Sequence, residues 1–150
     1  MNSNNHITVD QIKNDAEVIK KELVEWRHYL HAHPELSFKE ERTTHYIVNK
    51  LKNFGYTDIQ IGFGPLKTGV MVEIGSGRPC VMLRADIDAL PIQEQTGVEF
   101  CSQSKGVSHA CGHDAHITNL LGVAKLLKKY ENSIKGRVKL LFQPAEETRV

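Results

Sequence analysis

Apolar positions change their period three times along this 150-residue chain. From Thr8 to Leu30 they recur at three- and four-residue intervals, through Ile12, Ala16, Ile19, Leu23, Trp26 and Leu30. That spacing predicts an amphipathic helix, and Thr8 or Asp10 is suited to cap it. Pro34 in HAHPEL cannot continue a helix and biases His33 to an extended shape, so the helix ends there. A second helix is predicted from about Lys39 to Phe54, with Gly55 placed to close it.

The period then shortens. TDIQIGFG alternates, and TGVMVEIGSG carries apolar residues at Val70, Val72 and Ile74. In Cys80-Val81-Met82-Leu83 the apolar run is continuous, the pattern of a strand covered on both faces. Helical spacing returns from Ala115 to Tyr130, through Leu120, Leu121, Val123, Ala124 and Leu127. A last apolar strand, Gly136 to Phe142, ends abruptly at Gln143-Pro144. Strand, loop, helix and strand in this order make a βαβ unit, so the expected fold is α/β, a mostly parallel sheet with helices on both faces. There is no internal repeat, linker or low-complexity stretch. The chain stops at Val150, just after a strand and an acidic turn. The expectation is therefore that residues 1–150 are part of a longer protein, the sheet incomplete at its C-terminal side.

Composition narrows the function classes. Forty per cent hydrophobic and a quarter charged residues are typical of a soluble globular domain. The net charge of +1 and the absence of a basic run argue against a nucleic-acid or anionic-membrane partner. The polar start MNSNNHITVD is not a secretory signal, and no apolar stretch approaches the ~20 residues that span a bilayer. Cys80, Cys101 and Cys111 are an odd number without disulfide-framework spacing. A cytoplasmic location is expected.

In α/β folds, ligands collect beyond the carboxyl ends of strands. Three segments fall there: Arg84-Ala85-Asp86-Ile87-Asp88, the stretch SHACGHDAH from Ser108 to His116, and Gln143-Pro144-Ala145-Glu146-Glu147. In an extended loop, Cys111 and His113 point the same way, roughly 6.5–7 Å apart at the backbone. Ligand bonds of about 2.0–2.3 Å can close on one ion across that gap. The bland alternative is a loop thiol beside a solvated imidazole. Glu146 and Glu147 are adjacent, so one carboxylate can bind metal while its neighbour serves as general base, the division that metal-assisted hydrolysis requires. On a wet face they would do neither. Asp86 is suited to orient a histidine ligand, whereas Asp86 and Asp88 are otherwise strand-end caps. Arg84 is suited to pair with one of them. Asp114 and His116 are candidates for supporting a ligand or capping the following helix, and His109 is undecided. His31, His33 and Glu35 look like a metal cluster in composition, but the helix end and Pro34 explain their place without one.

The segments WRHYLHAHPELSFKEERT, LRADIDALPIQEQTG, SHACGHDAH and GRVKLLFQPAEE, in this order, resemble the metal-dependent N-acyl amino acid amidohydrolases: aminoacylase relatives, hippurate hydrolases, N-acetyl-diaminopimelate deacetylases and indole-acetyl-amino-acid hydrolases, within the zinc-carboxypeptidase-like group. What the resemblance implies is a zinc-peptidase-like catalytic domain that hydrolyses the amide bond of N-acyl amino acids with two divalent metal ions. On the matching positions, Cys111, His113 and Glu147 are implied metal ligands, Glu146 the general base acting on water, and Asp86 a supporting acid. Relatives in the wider group have His-x-Asp where this chain has Arg84-Ala85-Asp86. Zinc, manganese, cobalt and nickel all suit a mixed thiolate, imidazole and carboxylate set. The family's chains are more than twice this length, with two further histidine ligands, a lid and dimerisation domain, and the remaining strands. The resemblance thus implies a parent that acts on small molecules as a homodimer, and the 150-residue chain alone is expected to be inactive. Two other readings stay open: a non-catalytic metal-binding or interaction module, and a hydrolase using Cys111 as nucleophile.

Overall fold

A computed structural model describes residues 7–63 and 65–148. Helix α1 spans Val9–Ala32, ending two residues beyond the last position of the apolar spacing. Thr8 caps it: its Oγ1 accepts from the Gln11 amide at 3.2 Å while Gln11 Oε1 accepts from the Thr8 amide at 2.8 Å. The exchange satisfies two amides that the first turn leaves without a helical partner. Helix α2, Glu41–Phe54, stops at Gly55, whose φ of +96° is readily reached by glycine. Glu35 lies upstream, and its carboxylate accepts from the Arg42 and Thr43 amides at 3.1 and 2.8 Å. The acid of HAHPE thus anchors the start of α2.

Four strands follow: β1 Ile59–Phe63, β2 Leu66–Ser76, β3 Cys80–Asp86 and, after helix α3 (His113–Lys129), β4 Gly136–Gln143. Their order across the sheet is β1-β2-β4-β3. Only β3 and β4 run parallel, forming the expected βαβ unit with α3; the β1–β2 and β2–β4 pairs are antiparallel. The sheet is therefore mixed, which corrects the expectation of a mostly parallel one. The tight connection from β1 to β2 permits only an antiparallel pair, and β2 then lies beside β4 rather than β3.

Register explains which side is the core. Val70 faces Phe142, Val72 faces Leu140 and Ile74 faces Val138, while Leu140 and Phe142 face Leu83 and Ala85 across the parallel pair. On this face Val70, Val72, Leu140 and Phe142 are fully buried beneath Ile47 and Leu51 of α2 and Ile117, Leu121 and Ala124 of α3. Helix α1 lies outside, packed mainly on α3. Among the described residues the helices bury one face of the sheet, not both. The run Val81-Met82-Leu83 is 51%, 58% and 38% exposed, so the double covering expected of β3 is not found. A continuous apolar run reports hydrophobicity on both faces, but it carries no information on what covers them. No described helix is long and apolar enough to cross a membrane.

Candidate metal centre

The site lies at the carboxyl ends of β3 and β4, the parallel neighbours among the described strands. There the chain leaves β3 through Ile87 and Asp88, enters α3 at His113, and leaves β4 through Pro144 and Ala145. The approach to α3 is not extended, as the spacing argument assumed. Gly112 has φ +81° and is the N-cap, and His113 begins the helix two residues earlier than expected. Cys111 and His113 nevertheless face a common point, because the turn at Gly112 folds one towards the other.

Cys111 Sγ, a His113 ring nitrogen and a Glu147 carboxylate oxygen all lie within 4.8 Å of one another. Donors about 2.0–2.3 Å from a tetrahedral ion stand roughly 3.5 Å apart, so small side-chain movements close this group on one cation. His113 shows which nitrogen is available. Its Nδ1 lies 2.9 Å from the main-chain oxygen of Asp88, which only accepts, so Nδ1 carries the proton. That leaves Nε2, 3.7 Å from Glu147 Oε1 and 3.6 Å from Asp86 Oδ1, to present a lone pair. Glu147 Oε1 is buried with no hydrogen-bond partner among the described residues. A buried carboxylate oxygen without a hydrogen-bond partner is costly unless a positive charge lies beside it, either the protonated His113 ring or a bound cation in its place. The donor set fits a divalent ion.

Titration properties agree with this reading. Burial opposes charge on His113, but hydrogen bonding to Asp88 and the field of Asp86 outweigh it and raise the imidazole to about 8. The Cys111 thiol is raised chiefly by hydrogen bonding to Glu147, with burial, Glu146 and Asp86 adding to the effect. Protons thus occupy donors that a metal would otherwise hold. Asp88 shifts the other way: burial raises it, yet bonds from His113, Ser37 and the Glu147 amide hold it well below the usual carboxylate range.

Asp86 and Asp88 differ from the reading in which Asp86 orients a histidine ligand from behind. Asp88, almost wholly buried, does that work: its main chain bonds His113 Nδ1, and its Oδ2 accepts from Ser37 Oγ at 2.6 Å and from the Glu147 amide at 3.0 Å. One residue therefore ties two of the three donors together. Asp86 instead lies on the Nε2 side of His113, with Oδ1 2.5 Å from His116 Nδ1 and Oδ2 3.5 Å from Arg84. Arg84 also donates to Gln143 at 2.7 Å. Asp86, His113 and His116 form a second donor group, but both groups draw on the one available nitrogen of His113.

The other singled-out residues lie elsewhere. Glu146 is exposed on the turn beside Glu147, where its charge reaches the Cys111 thiol. Asp114 is buried and caps nothing; His31 Nδ1 at 2.8 Å and Arg27 Nε at 3.3 Å bond to it. Glu94 closes the other side of His31 at 3.0 Å. Although burial lowers it, the two carboxylates raise the His31 imidazole above its ordinary value. His33 Nδ1 lies on the main-chain oxygen of Tyr29 at 2.7 Å. His109 is buried with both ring nitrogens unpartnered among the described residues, and burial lowers it to about 4. Sequence reasoning missed Ser37, Glu40 and the span of Asp88. Each acts through a contact of more than fifty positions' separation, and no local pattern signals that.

Comparison with known proteins finds several similar in sequence and fold. Residues 82–149 match the pattern of Peptidase family M20/M25/M40. The chain is 44% identical over 143 residues to the N-acyl-L-amino acid amidohydrolase of Geobacillus stearothermophilus, covering 94% of this chain and 38% of that protein. It is 52% identical over 131 residues to the N-acetyl-L-cysteine deacetylase of Bacillus subtilis, covering 86% and 31%. Among solved structures, a dinuclear metal binding peptidase of family M20 from Bacillus subtilis superposes with a TM-score of 0.78 at 47% identity, over 87% of this chain and 37% of that one. The chain thus spans about a third of the length of the curated relatives it matches.

Proposed function

We propose, for a chain that resembles the N-terminal part of the metal-dependent N-acyl amino acid amidohydrolases, that it forms part of a catalytic domain hydrolysing the amide bond of N-acyl amino acids. Cys111, His113 and Glu147 hold a divalent ion, Glu146 is the general base, and Asp86 supports the ligands. The observation that carries the reading is the meeting of thiol, imidazole and carboxylate within 4.8 Å, from segments far apart in the chain. The similarity to a dinuclear metal binding peptidase of family M20 supports two ions per site. Here Asp86 and His116 lie beside the first donor group, but the two groups share His113, so the described residues offer one complete three-donor group at a time. Zinc, manganese, cobalt and nickel all suit the set.

Bound divalent ions polarise an amide carbonyl and lower the pKa of water. The chain's own residues do the rest. Asp88 and Ser37 hold His113 and Glu147 in register. Glu146, on the solvent side of the turn, accepts a proton from the attacking water and delivers it to the departing amine nitrogen. The unpaired state of Cys80, Cys101 and Cys111 supports a reducing, cytoplasmic setting. Titration of the chain with Co2+ tests the reading: a thiolate-to-metal absorption that disappears in Cys111→Ser is expected, and its absence from the unaltered chain would remove the metal site.

The exposed apolar stretch of β3 favours a second reading, in which the chain is a non-catalytic interaction module. Sedimentation separates the two. A monomer that binds metal tightly supports the amidohydrolase reading, whereas concentration-dependent association with no metal affinity supports the module.

A further inference from the structure

Glu40 is fully buried, yet it belongs to no donor group and neither catalytic nor ligand chemistry reaches it. Its carboxyl group accepts two hydrogen bonds, one from Thr68 Oγ1 at 2.8 Å and one from the Ala145 amide at 2.9 Å. Ala145 immediately precedes the acidic pair, and its φ is +54°, a left-handed conformation that a residue with a Cβ rarely adopts. On one side Pro144 is buried over Gly69, where a Cβ would stand 2.6 Å from Pro144 Cδ. On the other, the Glu147 amide is held by Asp88 at 3.0 Å. The turn is therefore fixed at three points: by packing at 144, by Glu40 at 145 and by Asp88 at 147.

Geometry gives these contacts a purpose. Adjacent side chains in ordinary extended backbone point to opposite faces, and in a helix they diverge by about 100°. A single left-handed residue just before the pair re-aims both. In this structure Glu147 turns inward to Cys111 and His113 while Glu146 stays at the solvent side. We propose that Glu40 is a positioning residue that holds Ala145 in its left-handed conformation and so sets the direction in which the acidic pair leaves β4, with Glu147 inward and Glu146 at the solvent side. The inference rests on the metal-site reading for its consequence, but the hold on Ala145 stands or falls independently.

The test uses four variants of the chain: Glu40→Met, Glu40→Gln, Thr68→Val, and the double variant Glu40→Met with Ala145→Gly. In Glu40→Gln the amide oxygen still accepts from Ala145 and the amide nitrogen donates to the Thr68 hydroxyl, so this variant is expected to behave as the parent. Glu40→Met removes the acceptor at similar volume. Two quantities are read: exchange protection of the Ala145 and Glu147 amides without metal, and Co2+ affinity. Glu40→Met is expected to lose at least about tenfold in Ala145 protection and about ten- to a hundredfold in Co2+ affinity, the range for outer partners of metal ligands. Thr68→Val keeps both within about threefold. Glycine reaches a positive φ without help, so the double variant is expected to recover at least half of the lost binding free energy. A Glu40 that merely fills the core would give no such rescue.

Unchanged Ala145 protection in a folded Glu40→Met chain overturns the proposal, as does equal loss in the single and double variants. Should Glu40→Met fail to fold, a loss of protection in Glu40→Gln matching that of a frayed turn overturns it instead. Absence of Co2+ binding by the unaltered chain would remove the metal reading, while amide exchange still decides the role of Glu40.

Discussion

If Cys111, His113 and Glu147 hold a metal as proposed, binding has to displace protons, and the structure sets how many and over which pH range. Asp88 and Asp86 raise His113 to about 8. At pH 7 the imidazole is then about nine-tenths protonated, which weakens apparent metal affinity about tenfold. The thiol begins from an ordinary value of 9.0 and is raised further by Glu147. At pH 7 it therefore costs at least about another hundredfold. Together the two groups lower affinity at least about a thousandfold, or roughly 4 kcal/mol, relative to solution well above pH 9. The logarithm of the Co2+ association constant should rise with pH at a slope near two between pH 6.5 and 7.5. It should then fall towards one above pH 8, where His113 no longer competes. Competition against a chromophoric chelator at half-unit steps measures this directly. Cys111→Ser should bring the lower slope to about one, because only His113 still releases a proton. A slope of one or less in the unaltered chain, or the same slope in Cys111→Ser, would refute the assignment of both donors.

Other consequences are open to direct measurement. In a longer protein carrying this domain, Glu146→Ala should lower kcat about 10²–10⁴-fold while Co2+ affinity changes less than threefold; retained turnover would remove Glu146 as the base. Gly69→Ala places a Cβ 2.6 Å from Pro144 Cδ at a φ of +88°, so thermal unfolding should show a loss of about 1–3 kcal/mol and metal affinity should fall with it. His31 is raised by Glu94 and Asp114 despite burial. Its folded value exceeds the unfolded 6.5, so its contribution is complete below that pH and disappears as pH rises through the folded value. Urea unfolding from pH 6 to 9 should accordingly show a shallower decline in His31→Gln than in the parent. Replacing Met82, 58% exposed on the edge strand β3, by Lys should weaken any concentration-dependent sedimentation; unchanged association would place that contact elsewhere.

Helix α1, its Thr8 cap, the Gly55 stop of α2 and the existence of all four strands were legible because each depends on neighbours within a few positions. So were Cys111, His113, Glu146 and Glu147 as chemistry-bearing residues, through local spacing and the resemblance of the four quoted segments. Local pattern could not give the sheet's direction. The apolar run of β3 looks alike in a parallel or mixed sheet, and its exposure depends on what packs against it. Nor could it separate Asp86 from Asp88, two acids in the same short stretch.

Residue type and local period determined which segments are helices and strands and which side chains can bind a cation. Only the tertiary structure decided that β2 lies between β1 and β4, that Asp88 joins His113 to Glu147, and that a buried Glu40 holds the acidic turn from 105 positions away. The physical reason is one of range. Capping and periodicity act within a turn of chain, whereas a metal centre is a set of contacts between segments that only packing of the core brings together.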